Sequence, residues 1–522
     1  MITKEFPTAN SPRPSSEPKW EQGVRILIAI ATAKFLLQLY AAHNYGYFRD
    51  ELYFLDLGRH LAWGYLDLPP LVAVIAAFER VAFGTSLTAI RLLPALAGAV
   101  VVILAGLIAR ELGGGRFSQG LAALAVATAP GFLGADHMLT MNAFEPVFWT
   151  GCAYALIRII KAGSPAAWIW FGVLAGLGLE NKYSMFFFGF GLVLGLMLSS
   201  ERRLLWDRWF WLAALIAFAI FLPNLLWQVH HHFVSFVWLR YHRTASDNVP
   251  LTTLEFMAEQ LLEMQPLSCP IWLAGIWFYF GAREGKPYRA LGWAYLVVLA
   301  ILLFTRGRVY YLFPAYPMLF GAGAVLVEKA LGTARWRWAK PAYVTLILAG
   351  AALLAPFALP VLPVEAYMRY SSALGLDPPD IEQRKLGKLP QLYSDMFGWE
   401  EMTAAVARVY QSLPPEQRME TAIFANDYGE GGAIAFFGGK YGLPHAIAPH
   451  QEYFYWGPGN YSGASIILMG PNPTLEQECA KERPVGIVQH GYSMPYENFP
   501  IILCTDLKRP LKEIWPDLKK WE

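Results

Sequence analysis

At 522 residues the chain is too long for one soluble domain and long enough for two units. Hydrophobic residues make up 55% and charged residues only 16%, which excludes an ordinary soluble enzyme and points to a membrane protein. A net charge of +2 carries no electrostatic footprint for a nucleic-acid partner.

In chain order, residues 1–22 are rich in Pro, Ser and Lys and read as a disordered cytoplasmic tail. The apolar run from Val24 to Tyr40 is too long for a cleavable signal peptide, holds Lys34, and reads as an uncleaved first span. Segments able to cross a bilayer number about eleven, and up to thirteen, since several are only 15 to 16 residues long. They are 24–42, 90–109, 119–134, 142–160, 166–180, 184–200, 209–228, 266–281, 288–304, 309–327 and 341–362. Together they make residues 23–363 a polytopic α-helical unit with a first outer loop at 43–89. With 19 Trp, 26 Tyr and 33 Phe, aromatic belts are expected at both membrane surfaces.

The positive-inside rule sets the orientation. A cytoplasmic N-terminus places five basic loops inside: Arg110/Arg116, Arg158/Lys161, Arg202/Arg203/Arg208, Arg283/Lys286/Arg289 and Lys329/Arg335/Arg337/Lys340. Counting the apolar stretch 69–83 as a span would put Arg110 and Arg116 outside. It is therefore expected as an interfacial helix within the first outer loop. The loops left outside hold most of the distinctive polar residues. This topology suits a multi-pass membrane protein with a cytoplasmic N-terminus.

From about Glu365 prolines and charges rise and no further span is available. Residues 364–522 are expected to form an extracytoplasmic α/β domain with a largely parallel sheet. Its strand candidates are Thr421–Ala425, His445–Ala448, Ala464–Met469, Val485–Val488 and Pro500–Leu503. Helices are expected near 396–413 and 474–482, and from the Gly-rich turn 428–432 to about Tyr441. That turn lacks both phosphate-binding glycine patterns and is assigned to turn geometry. Cys479 and Cys504 are expected to form a disulfide if this part lies outside the cytoplasm. Tyr453, Phe454, Tyr455, Trp456 and Tyr461 are expected either to face sugars or to pack on the membrane part.

The chemistry centres on Asp50 and Glu51, flanked by Tyr45, Tyr47, Tyr53 and Phe54, with Asp67 following before Pro69-Pro70. Adjacent side chains diverge, so one carboxylate is expected to face a substrate and accept a proton from a hydroxyl. Glu51 is the one expected to orient the loop or the acceptor. Asp136, His137, Asn142 and Glu145 gather near the second outer loop, as hydrogen-bonding groups for substrate hydroxyls or as ligands of a divalent metal; both readings stay open. Lys182 is expected either to pair with Glu180 or to meet an anionic ligand. Arg306 and Arg308, ahead of Tyr310 and Tyr311, break the apolar pattern on the outer side and suit a phosphate. His230, His231 and His232 cannot share one helix face and read as an interfacial belt. Carboxylates and cations at membrane level fit a polyprenyl-phosphate sugar.

The residues also resemble a family. Phe48-Arg-Asp-Glu-Leu-Tyr53, Tyr65-Leu-Asp-Leu-Pro-Pro-Leu71 and Met138-Leu-Thr-Met-Asn-Ala-Phe-Glu-Pro146 carry the likeness. Gly176-Leu-Gly-Leu-Glu-Asn-Lys-Tyr-Ser184, Leu222-Pro-Asn-Leu-Leu-Trp-Gln228 and Tyr310-Tyr-Leu-Phe-Pro-Ala-Tyr-Pro317 continue it in order. The C-terminal stretch from Phe397-Gly-Trp-Glu-Glu401 to Trp456-Gly-Pro458 extends it. The chain resembles the bacterial family 39-type glycosyltransferases of the GT-C superfamily, relatives of protein O-mannosyltransferases and of the lipid A aminoarabinose transferase. The resemblance implies inverting transfer from a polyprenyl-phosphate sugar, with Asp50 as general base. It implies a basic residue, usually lysine, before the Tyr-Tyr segment to meet the lipid phosphate; Arg306 and Arg308 stand there instead. Many relatives have His before the Pro-Pro pair, where this chain has Leu68. The acceptor stays open among glycolipid, polysaccharide, hydroxylated lipid and protein. No cofactor is assigned. A transporter or flippase for a lipid-linked sugar is the alternative, although no pseudo-symmetric halves are visible in the sequence.

Overall fold

The computed structural model describes residues 19–244, 251–375 and 387–521. The tail expected at 1–22 lies outside these residues except for 19–22, which are helical: the first helix, α1 (Lys19–Ala42), starts at Lys19. Among the described residues, seven helical stretches are long and apolar enough to cross a membrane: Gly23–Ala42, Leu87–Glu111, Met141–Ala162, Arg208–His230, Lys286–Thr305, Val309–Ala330 and Ala334–Ala358. The chain is a multi-pass membrane protein.

The remaining expected spans are helical but shorter. Residues 119–134 divide into Arg116–Thr128 and Pro130–Ala135, because Ala129 precedes a proline and turns extended (ψ 127°). Met185–Met197 and Cys269–Phe280 have 13 and 12 residues. The stretch 309–327 opens as two 3-10 turns, Val309–Tyr311 and Phe313–Ala315, before the helix Tyr316–Ala330. Tyr310 and Tyr311 thus sit on a compact turn and not within the helix.

The first loop carries two helices, α2 (Arg49–Leu57) and α3 (Leu71–Ala82). On α3, Val72, Ala73, Ala76 and Glu79 are buried while Val74, Phe78 and Val81 are exposed, the two-faced pattern of an interfacial helix. Next come α4 (Leu92–Glu111), α5 (Met141–Ala162), α6 (Pro165–Asn181) and α7 (Arg208–His230).

The C-terminal part holds a four-stranded sheet of β1 (Thr421–Phe424), β2 (Ser465–Met469), β3 (Cys479–Ile487) and β4 (Pro500–Leu507), in the order β1-β2-β4-β3. The expected largely parallel sheet is corrected: β1 and β2 are parallel, whereas β4 runs antiparallel to both neighbours. The cause is the segment 474–482. Its helix ends at Glu478, and the charged Lys481–Arg483 stretch, which mimics a helix surface, is an exposed edge strand that returns to β4 as a hairpin. His445–Ala448 adds only a single bridge, Phe424 to Ile447. Cys479 and Cys504 are joined, with Cα atoms 5.6 Å apart.

The two parts share one core. Leu52, Tyr53 and Leu55 of α2 pack in the same apolar cluster as Leu139 and Phe144, and as Trp399, Ile423, Ile434 and Ile467 of the C-terminal part. The helix α8 (Tyr428–Phe437) lies directly on α2. A Cβ on Gly432 would meet the Leu52 carbonyl carbon at 2.9 Å and the Tyr53 nitrogen at 3.0 Å. The Gly-rich stretch is therefore helix, not turn, and its glycine lets two backbones touch.

Candidate active site

The first loop is anchored by an arginine that sequence reasoning passed over. Arg91, fully buried ahead of α4, gives Nε to Glu51 Oε1 at 2.9 Å and a terminal nitrogen to Oε2 at 2.8 Å. It also donates to the carbonyls of Ala42 and Gly46, and contacts His137 Nε2 at 3.2 Å. Glu51 further accepts the backbone N–H groups of Phe48 and Leu139. Its expected place beside Asp50 in the chemistry is corrected to a structural one, because a carboxylate so completely engaged in burial has no capacity left for a ligand. An ionisable residue inside the apolar stretch 90–109 was the available signal.

Asp136 and His137 are corrected in the same way. Asp136 faces Lys34 of α1 at 2.5 Å, and both side chains are 1% exposed or less. His137 is held well below its usual range by burial and then by the Arg91 charge, so it stays neutral. The two residues face separate partners and do not form a joint ligand set with Glu145. Among the described residues no three His, Cys, Asp or Glu side chains come together as a metal site.

A second group does converge. Lys182, the residue that ends α6, donates to Glu145 Oε2 at 3.0 Å and to Asn142 Oδ1 at 2.8 Å. Its ammonium lies 4.1 Å from the ring centre of Tyr311 and 5.6 Å from that of Tyr310. Ser184 donates to the other Glu145 oxygen. The expected Lys182–Glu180 pairing is corrected: Lys182 leaves the helix in extended conformation (ψ 136°) two residues after Glu180 and meets Glu145 and Asn142, which three apart on α5 share a face. Arg308 is half-buried within electrostatic reach of Tyr310, and Arg306, exposed, ends the preceding helix in the left-handed conformation (φ 52°). The polar residues of Leu222–Gln228 close this side. Asn224 takes the Tyr183 hydroxyl at 3.2 Å and donates to the Trp63 carbonyl at 2.8 Å, tying the first loop to α7. His230, His231 and His232 are all exposed at the end of α7, with His231 stacked on Trp227.

The first loop holds five carboxylates, and three are consumed: Glu51 by Arg91, Asp56 by Tyr453 (2.7 Å), and Glu79 by the Leu93 N–H (3.0 Å). Asp50 and Asp67 retain exposure. The Asp50 side chain is 31% exposed on the first turn of α2, with Oδ1 accepting from Tyr428 at 2.8 Å and lying 3.9 Å from Arg49 Nε as an ion pair. Asp67 accepts from Tyr53 at 3.0 Å. The aromatics at 453–461 largely pack instead of facing outward: Tyr453 is buried on Asp56, and Trp456 lies on His60.

Burial pushes Asp67 up to about 7, against the Tyr53 hydrogen bond and with help from the Asp50 charge. Glu452, which accepts the Leu66 N–H at 2.8 Å across the seam, is pushed by burial up to about 8, with Asp67 adding to it. Both carboxyls therefore hold protons that the separated chain releases near its ordinary values of 3.8 and 4.5. The folded state binds more protons across that window, so stability falls as pH rises from about 4 to about 8. Proteolysis of the intact protein in detergent is expected to detach the C-terminal part faster at pH 8.5 than at pH 5.5, using a protease active at both. Equal rates would contradict the assignment.

Residues 67–227 match the family model described as dolichyl-phosphate-mannose-protein mannosyltransferase. The matched stretch contains Asp67, Asn142, Glu145 and Lys182. Among solved structures, the chain is similar in fold to ArnT from Cupriavidus metallidurans bound to undecaprenyl phosphate, at 16% identity and a TM-score of 0.59. It is similar to the same protein in the apo state at 15% identity and a TM-score of 0.57. Each match covers 92% of this chain and 97% of the other, so the likeness of fold extends through the C-terminal part. No curated protein sequence matches the chain.

Proposed function

We propose that the protein is a glycosyltransferase of the GT-C, family 39 type, which moves a sugar from a polyprenyl-phosphate donor to an acceptor hydroxyl at the outer face of a bacterial inner membrane, with Asp50 as the general base. The observation that carries this reading is the exposure Asp50 keeps on the first turn of α2. Its neighbours Glu51 and Asp56 are sealed in structural pairs, while the Asp50 side chain is 31% exposed and accepts from Tyr428. In the reaction the acceptor oxygen attacks the anomeric carbon and its proton passes to Asp50. The bond from that carbon to the phosphate oxygen breaks, and polyprenyl phosphate departs with its charge. Attack opposite the leaving group inverts the configuration.

Lys182, Arg308 and Arg306, with the Tyr310 and Tyr311 rings, are the groups for the phosphate, where oriented cations stabilise charge as it develops. Glu145 and Asn142 aim the Lys182 ammonium. The fold shared with a protein solved with undecaprenyl phosphate supports a donor of this class. Glycolipid, glycan and protein hydroxyls all fit an acceptor approaching Asp50. The test is mass spectrometry of glycolipids and surface glycans from a deletion strain complemented with wild type or Asp50→Asn. A glycan lost on deletion and restored only by wild type is expected; restoration by both would sink the base assignment.

A further inference from the structure

We propose that Tyr428, carried by the C-terminal part, is a positioning residue for Asp50, so that the docked domain completes the catalytic centre. This rests on Asp50 being the base. The Tyr428 hydroxyl donates to Asp50 Oδ1 at 2.8 Å across 378 residues of sequence. Its ring is fixed on several sides. Tyr53 packs at 5.0 Å between ring centres, His450 at 5.1 Å, and the Arg49 guanidinium lies 5.2 Å from the ring centre. Arg49 is held in turn by the Tyr496 hydroxyl at 3.0 Å, with Asp395 at 3.8 Å. Tyr428 opens α8 directly after Asp427, whose carboxylate caps the helix by accepting the Glu430 N–H. The contact is therefore built from both sides.

The backbone contact is an independent observation. Gly432 sits one helical turn after Tyr428 and meets the α2 backbone where no side chain fits. Glycine here sets the distance at which Tyr428 reaches Asp50. A paired arrangement adds to the case: Tyr53 holds Asp67 while Tyr428 holds Asp50, and the two tyrosine rings lie against each other.

The charged and titratable groups facing this pair are Arg49 and Tyr53 from α2 and Asp67 from the first loop. From the C-terminal part they are Tyr428 itself, with Asp427 and His450 behind it. Burial holds the Tyr428 phenol well above its ordinary range, so it remains a donor throughout the working pH. A donor on a carboxylate favours the charged form, and its removal makes Asp50 easier to protonate.

The test uses the full chain in detergent. Asp50 is labelled with a water-soluble carbodiimide and glycine ethyl ester, a chemistry that needs the protonated carboxyl, and read by peptide mass spectrometry against pH. Tyr428→Phe keeps the ring packing and is expected to move the labelling midpoint up by about one pH unit. Gly432→Ala, which touches neither group, is expected to move it the same way. Transfer should fall about tenfold in Tyr428→Phe, and adding Tyr428→Phe to Asp50→Asn should cause no further loss. An unchanged midpoint with an inactive Asp50→Asn overturns the role of Tyr428 and leaves the base standing. A shifted midpoint with a fully active Asp50→Asn overturns the base and, with it, the catalytic meaning of the contact.

Discussion

Asp50→Asn is expected to lower glycosyl transfer by about 10²–10⁴-fold, the range for removing a positioned base, with membrane levels unchanged. The amide keeps the size of the side chain and an oxygen to accept from Tyr428, and it removes only the capacity to take a proton. Stability should be little affected, because the side chain is 31% exposed and the amide keeps its size and its contact with Tyr428. The contrast with Glu51→Gln is informative. That neighbour faces Arg91 with no exposure, so its loss should appear as reduced folded protein and not as a slow enzyme. The measurement is product formed per mole of folded protein for both variants. Asp50→Asn within a few-fold of wild type would remove the base.

Arg91→Leu is expected to destabilise the protein by about 3–5 kcal/mol, the magnitude for breaking a buried ion pair from one side. Arg91 satisfies both Glu51 oxygens, two backbone carbonyls and one His137 nitrogen, all away from water. Without it a carboxylate remains in a site where Leu139 and Phe48 donate only two hydrogen bonds. The consequence reaches past stability, since Glu51 is the residue beside Asp50 and its tether fixes where α2 begins. Thermal unfolding in detergent should show a strongly lowered midpoint. The double variant Arg91→Leu with Glu51→Met should recover much of the loss, because two apolar groups replace two charges. A single variant melting with wild type would show that the pair contributes little.

Much of the architecture was legible in the chain itself. Apolar segments, broken by charges, mark helices because bilayer hydrocarbon leaves no other way to satisfy the backbone. The interfacial placement of 69–83 follows from where its basic neighbours must lie, and the structure shows a helix there with one buried and one exposed apolar side. Cysteine placement in the polar region pointed to the pair that is joined. Asp50, Lys182, Tyr310 and Tyr311 stood out because polar groups flanked by aromatics at a span end are costly without a use.

Partner choice was not legible. Lys182 could reach Glu180 or Glu145, and only helix packing decides between a neighbour in sequence and one 37 residues away. Arg91 drew no reading from the sequence, because Glu51 of α2, the Ala42 carbonyl and His137 close around it only in the fold. The edge strand β3 wore a helix-like charge pattern because an exposed strand and a solvated helix share a surface chemistry. The docking of α8 on α2 left one trace, a run of glycines whose purpose is invisible without the backbone they meet. The chain alone thus determines which groups are too expensive to leave in a membrane without a role. Tertiary structure decides which of them neutralise one another and which remain for a substrate, because burial and pairing depend on neighbours hundreds of residues away.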